Sequence, residues 1–217
     1  MTEEKLKIEL ARLSKMKEYE NKFSEFIICG IDEAGRGPLA GPVVAGACVL
    51  PKDIDILYLN DSKKLSEKRR EALFVEIKEK ALAYGVGIVD EKTIDDVNIL
   101  EATHLAMKEA YEKADAMYKE KHSLSINMLF VDALKVKNVD IKQVSIVKGD
   151  ALSVSIAAGS ILAKVTRDHL MMEYDKLYPE YGFASHKGYG TATHMQKLRE
   201  IGPCKIHRKS FLSFLKS

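Results

Sequence analysis

Three apolar runs in this chain each hand over to carboxylates. Residues 26–31 (FIICGI) lead into Asp32 and Glu33, residues 128–131 (MLFV) into Asp132, and residues 144–149 (VSIVKG) into Asp150. Short apolar runs rich in β-branched residues are the mark of buried strands. A sheet assembled from such strands collects their ends along one edge, where open α/β sheets build their sites. The chain must therefore fold so as to bring several acids together.

The intervening segments supply the helices. Residues 3–22 space Leu6, Leu10, Leu13 and Met16 at a helical period. Residues 43–50 (VVAGACVL) read as a second strand closed by Pro51, and residues 83–90 (AYGVGIVD) as a third. Between them Ser66 is placed to cap a helix with Leu73, Phe74 and Ile77 on one face. Residues 99–118 form a long helix. Residues 155–178 form another, whose first half (SIAAGSILA) is small and apolar enough to be buried. The predicted class is α/β, a mixed β-sheet flanked by helices with a helical C-terminal portion. With 217 residues, 46% of them hydrophobic, one main domain is expected over 26–217, preceded by an amphipathic helical segment over 1–25.

One acid after a strand is commonplace, because Asp starts turns. Three such endings, one of them doubled, are better explained by chemistry. Four carboxylates in one partly buried site would repel each other strongly, and divalent cations remove that cost. Two Mg²⁺ ions balance four carboxylates, and an all-oxygen donor set without a His or Cys cluster favours Mg²⁺ or Mn²⁺ over zinc. Two such ions about 4 Å apart serve in-line displacement at phosphorus. The geometry carries one condition. Adjacent strand residues point to opposite faces, so Asp32 and Glu33 share a site only where the strand ends or twists.

Other motifs fail on context. Residues 35–40 (GRGPLA) fit a loose dinucleotide pattern, but Gly41 and Pro42 and a strand-like run follow instead of a helix. No GxxxxGK[ST] or HExxH occurs, and Ser145 with Lys148 match SxxK only as a strand residue and a surface lysine would. An actin-like or sugar-kinase ATPase would need about twice the chain and paired phosphate loops.

The segments DEAGRGPLAGPVV (32–44), NDSKKLSEKRRE (60–71), FVDAL (130–134), VKGD (147–150), SILAKVTRDHLM (160–171) and HKGYGT (186–191) resemble the bacterial ribonuclease HII family, in the family's order. The resemblance implies an RNase H-like fold and hydrolysis of RNA in RNA–DNA hybrids. It also implies incision 5′ to single ribonucleotides in duplex DNA, leaving 3′-hydroxyl and 5′-phosphate ends. Asp32, Glu33, Asp132 and Asp150 would be the catalytic metal ligands, with two ions in the presence of substrate. Gly35, Arg36 and Gly37 would grip the 2′-hydroxyl region through main-chain groups. Tyr189 would sense the 2′-hydroxyl, the group that separates RNA from DNA. Lys63 matches a phosphate-contacting position, and Lys164 and Arg167 would reach the nucleic-acid backbone or stabilise the acids. Gly159 stands where the family more often has alanine, a change of about 1 kcal/mol in a helix interior. Ribonuclease HIII, the nearest alternative, carries an extra N-terminal domain and usually lysine in place of Arg36.

Charge adds a partner. The formal net charge is only +2, yet from residue 181 onward seven Lys or Arg (Lys187, Lys197, Arg199, Lys205, Arg208, Lys209, Lys216) face one acid, Glu200, with His186, His194 and His207 among them. Such a tail reads either as a solvated face or as a surface for a polyanion, here an RNA–DNA hybrid or a DNA duplex with an embedded ribonucleotide. A non-catalytic nucleic-acid-binding module would share that tail but leave the acids without purpose. Whether the basic tail recruits a replication or repair partner is not written in the sequence. Cys29 and Cys48 lie in apolar runs as core thiols, and with Cys204 they make an odd set without a CxxC pair. The charged N-terminus lacks a signal-peptide apolar region, and no membrane-length apolar stretch occurs. A cytoplasmic monomer without membrane contact is expected.

Overall fold

The computed structural model describes residues 2–216. Its centre is a five-stranded sheet of order β3-β2-β1-β4-β5, with β1 at Ile28–Ala34, β2 at Val43–Val49, β3 at Ala83–Val89, β4 at Met128–Asp132 and β5 at Lys142–Ile146. β1 pairs antiparallel with β2 and parallel with β4, so the two early strands form a hairpin. The carboxyl ends of β1, β4 and β5 therefore share one edge.

Nine α-helices are described. The segment read as one N-terminal helix is two, α1 at Glu3–Met16 and α2 at Glu18–Lys22, broken at Lys17. α3 (Glu67–Lys80) carries the expected Ser66 cap, whose side chain accepts the Arg69 amide. α4 (Glu91–Val97) and the long α5 (Ile99–His122) meet at Asn98, which takes φ 72° and caps α5 with its side chain. α6 (Gly149–Leu152) and the long α7 (Val154–Leu177) follow β5, and α8 (Phe183–His186) and α9 (Ala192–Ile201) complete the helical C-terminal part. No helix among the described residues is long and apolar enough to cross a membrane.

The two long helices cover opposite faces of the sheet. Cys29 and Ile31 of β1 and Leu129 and Val131 of β4 bury against Ala102, Ala106 and Met107 of α5. Met128 and Phe130 of β4 face the other way, against Ile156 of α7. Close approach of α7 depends on glycine. A Cβ on Gly30 would lie 2.0 Å from the Ser155 carbonyl carbon, and one on Gly46 would lie 2.2 Å from the Gly159 oxygen. Gly159 answers from the helix side, where an added Cβ would meet the Gly46 oxygen at 2.6 Å. Its glycine is thus a packing requirement of this chain rather than only a loss of helix propensity. The small apolar first half of α7 is buried as its composition predicts.

Candidate active site

The edge where β1, β4 and β5 end is the candidate site. Even-numbered residues of β1 face α7, and so does Asp132 at the end of β4, which continues the face of Phe130. β5 ends at Ile146, and Asp150 comes four residues later, in the first turn of α6 rather than at a strand end. Lys148 makes the turn between them with φ 59°. The Asp132 Oδ1 accepts the Gly149 amide at 3.1 Å, which fixes α6 against β4. Carboxylate oxygens of Asp32, Asp132 and Asp150 consequently lie within 4.8 Å of one another.

Glu33 is not in that set. β1 does not end at the acids; it runs on to Ala34, with Asp32 opposite Gly46 and Glu33 opposite Ala45 of β2. Glu33 therefore points to the α5 face, where Arg36 pairs with it at 3.3 Å. Both acids still line one cavity of about 260 Å³, together with Gly35, Arg36, Gly37, Ser62, Lys63, Ser160, Lys164, Arg167 and Tyr189.

The electrostatics are those of a site short of positive charge. Burial, then the neighbouring charge of Glu33, pushes the Asp32 carboxyl up to about 8, against a hydrogen bond from Ser160 that favours the ionised form. Asp150 is pushed up to about 6 by burial and by the charges of Asp61 and Asp132. Glu33 is also raised by burial, although Arg36 works against the shift. Burial works to lower the Lys63 ammonium, but the charges of Asp150, Asp32, Asp61 and Asp132 outweigh it and leave the group raised. Asp32, Glu33 and Asp150, held above their ordinary range chiefly by burial, stand with Asp132 in an oxygen-only set that suits a hard divalent cation.

Two residues of the neighbourhood were not singled out from the sequence. Asp61 shares a hydrogen bond with Asp150 and caps the turn at Ser62–Lys64. Ser160 supports Asp32 and meets the Ser62 hydroxyl at 3.0 Å. Neither carries a strand-end signature that would have marked it.

The glycine-rich loop between β1 and β2 is shaped by two buried arginines. Arg208, fully buried, donates to the carbonyls of Gly41 at 2.9 Å, Arg36 at 3.0 Å and Gly35 at 2.6 Å. Arg167 donates to those of Pro42 at 3.0 Å, Ala40 at 3.1 Å and Lys187 at 3.0 Å. Gly35 has φ 93° and leaves no room for a side chain, because a Cβ would meet Arg167 Nε at 2.1 Å. Arg208 is therefore no part of a solvated basic tail, and His194 and His207 are buried with it. Arg199, Lys205 and Lys209 are exposed as that reading requires, Lys187 and Lys197 are half-buried, and the Lys216 side chain lies outside the described residues. Lys164 spends its ammonium on both oxygens of Asp168, at 2.5 and 2.6 Å. The Tyr189 ring, 47% exposed, leans over Gly37 with Arg167 behind it.

A mixed sheet of this order, with acids gathered from adjacent parallel strands and a neighbouring helix, defines a nuclease of the RNase H-like fold. The family model for ribonuclease HII matches residues 29–214. A ribonuclease HII from Lachnoclostridium phytofermentans is 54% identical over 99% of this chain and 82% of its own length. Among solved structures, ribonuclease H2 from Pyrococcus horikoshii superposes with TM-score 0.63 at 28% identity, over 84% of this chain and 92% of that one. The ribonuclease HII of Archaeoglobus fulgidus, solved with PCNA, shares the fold with TM-score 0.67 at 24% identity, over 88% and 97%. The chain belongs to the ribonuclease HII family, and is a metal-dependent endoribonuclease acting on RNA–DNA hybrids.

Proposed function

We propose that this chain incises on the 5′ side of ribonucleotides, both in hybrids and singly embedded in duplex DNA, leaving 3′-hydroxyl and 5′-phosphate ends. The observation that carries the reading is one cavity lined by Asp32, Glu33, Gly35, Arg36, Gly37 and the exposed Tyr189, with carboxylate oxygens of Asp132 and Asp150 within 4.8 Å of one on Asp32. A cleavage centre and a sugar-reading surface thus share one wall. Asp32, Asp132 and Asp150 hold the metal in this reading, and Glu33 adds the fourth carboxylate from the opposite face. Bound Mg²⁺ or Mn²⁺, two ions with substrate, supplies an activated water and neutralises charge at the scissile phosphate. Lys63 meets a phosphate oxygen from the rim. The buried guanidinium groups of Arg167 and Arg208 act through the loop, whose main chain they fix for contact with the sugar. The Tyr189 hydroxyl bonds the 2′-hydroxyl while its ring packs on the following sugar.

Tyr189→Phe removes that one hydrogen bond and keeps the ring. Incision of a duplex with a single ribonucleotide should fall about tenfold, in line with 1–1.5 kcal/mol for a lost hydrogen bond, with the melting temperature unchanged. Unaltered ribonucleotide selectivity would place the sensor elsewhere.

Proton linkage gives a second expectation. The folded Asp32 keeps its proton up to about 8, whereas the unfolded chain loses it near 3.8. The folded metal-free protein binds the extra proton between those values, so its stability falls as pH rises through that window. A cation must displace the proton. Calorimetric titration with Mg²⁺ at pH 7 in two buffers of different ionisation enthalpy should report about one proton released, with tighter binding at pH 8 than at pH 6. Affinity independent of pH over that range would contradict this account of the acids.

A further inference from the structure

The turn that carries Tyr189 rests on three histidines that the reaction does not use. His194 and His207 are 0% and 2% exposed, and His186 stacks on His194 with ring centroids 4.4 Å apart. The His194 Nδ1 lies 2.9 Å from the Tyr189 carbonyl oxygen, and its Nε2 lies 2.9 Å from the His207 Nε2. The His207 Nδ1 in turn lies 3.0 Å from the Cys204 amide nitrogen and 3.1 Å from the Cys204 Sγ.

Hydrogen-bond direction along this chain is determined by its ends. A neutral imidazole has one N–H and one lone pair. The Cys204 amide can only donate, so His207 Nδ1 is a lone pair and the ring proton sits on Nε2. That proton points at His194 Nε2, which must accept it. His194 is then protonated on Nδ1, where the Tyr189 carbonyl receives the bond. The Cys204 carbonyl, at 3.3 Å, is the longer contact of His207 Nδ1 and takes the His207 amide at 3.1 Å. An added proton would set N–H against N–H, and burial holds both rings below their ordinary range, His207 down to about 4.

His186 follows the same logic beside them. Its Nε2 donates to the Tyr181 carbonyl at 2.8 Å, and its Nδ1 accepts the Gly188 amide at 3.2 Å. The Tyr189 amide donates to the His186 carbonyl at 2.9 Å, and the Tyr189 carbonyl also takes the Thr191 amide at 2.8 Å. The main chain on both sides of Tyr189 is thereby tied down, and only its ring is left to meet a ligand.

We propose that His194 and His207 are positioning residues for Tyr189: their one-way chain of hydrogen bonds, from the Cys204 amide to the Tyr189 carbonyl, sets where the phenol stands over Gly37 and so how well a 2′-hydroxyl is read. The proposal rests on the reading of Tyr189 as the sugar contact.

Two measurements test it. Nitrogen-15 NMR of the imidazoles in the full chain at pH 7 should find His194 neutral and protonated on Nδ1, and His207 neutral and protonated on Nε2. Two like tautomers, or a charged ring, would overturn the relay without any variant being made. Kinetics supply the functional arm. His194→Ala should lower kcat on a single-ribonucleotide duplex about tenfold with little change in KM. His194→Asn, which keeps a side-chain N–H near the Nδ1 position, should restore most of the rate. In a Tyr189→Ala background the His194→Ala loss should nearly vanish. Equal losses in both backgrounds would reduce His194 to a structural residue and overturn the proposal. Should Tyr189→Ala alone leave ribonucleotide discrimination intact, the sensor reading falls and the proposal with it. That result is told apart from failure of the relay because it needs no change at His194.

Discussion

Asp132→Asn is expected to abolish cleavage while duplex binding persists. The substitution keeps the Oδ1 that accepts the Gly149 amide, so α6 and its Asp150 stay in place. It removes one negative charge from three carboxylates whose oxygens lie within 4.8 Å of one another. Losing a ligand charge from a hard-cation site weakens metal binding and reaction together. A drop in kcat on the order of 10³-fold or more, about 4 kcal/mol, is the predicted size. Single-turnover cleavage alongside a binding titration separates the two effects. Binding should hold or tighten, because one acid facing the phosphates has been neutralised. Near-normal turnover by Asp132→Asn would remove the metal-site account.

Gly30→Ala is the stability counterpart. Its Cβ would lie 2.0 Å from the Ser155 carbonyl carbon and 2.2 Å from the Ile156 nitrogen. These are backbone atoms, so no side-chain rotation relieves the clash, and α7 must lift off the sheet. Overpacking of this kind costs about 3 kcal/mol, which for a chain of this size lowers Tm by roughly 6–12 °C. The damage should reach the site, because α7 carries Ser160 beneath Asp32 and Arg167 beneath the glycine-rich loop. A thermal melt indistinguishable from the parent would contradict the close packing of α7 on β1.

The strand and helix periods of the sequence anticipate the fold because burial writes itself into local pattern. FIICGI, MLFV and the small-residue half of α7 are buried on the faces that their composition implies. Three of the four acids are found together for the same reason, each delivered by or just after a strand of the same edge. What the pattern could not show is set by tertiary contact. Whether β1 stops at Asp32 depends on pairing with β2, and it continues, which sends Glu33 to the other face. Arg208 reads in sequence as one more cation in a basic tail. Only the folded chain shows three carbonyls from a loop 167 to 173 residues away converging on it. Asp61 and Ser160 escape notice because nothing local distinguishes them from turn and helix residues. The roles of Tyr189 and Lys63 came from family likeness alone, since an isolated tyrosine or lysine has no period to read.

The most direct test of the central claim uses an end-labelled DNA duplex containing one ribonucleotide, beside an all-DNA control, with and without Mg²⁺. The account predicts metal-dependent incision on the 5′ side of the ribonucleotide and an intact control. Cleavage confined to long RNA–DNA hybrids would keep the nuclease and refute the sugar-reading wall of the site. No cleavage of either substrate with Mg²⁺ or Mn²⁺ would contradict the account at its root, and the three converged carboxylates would need another explanation.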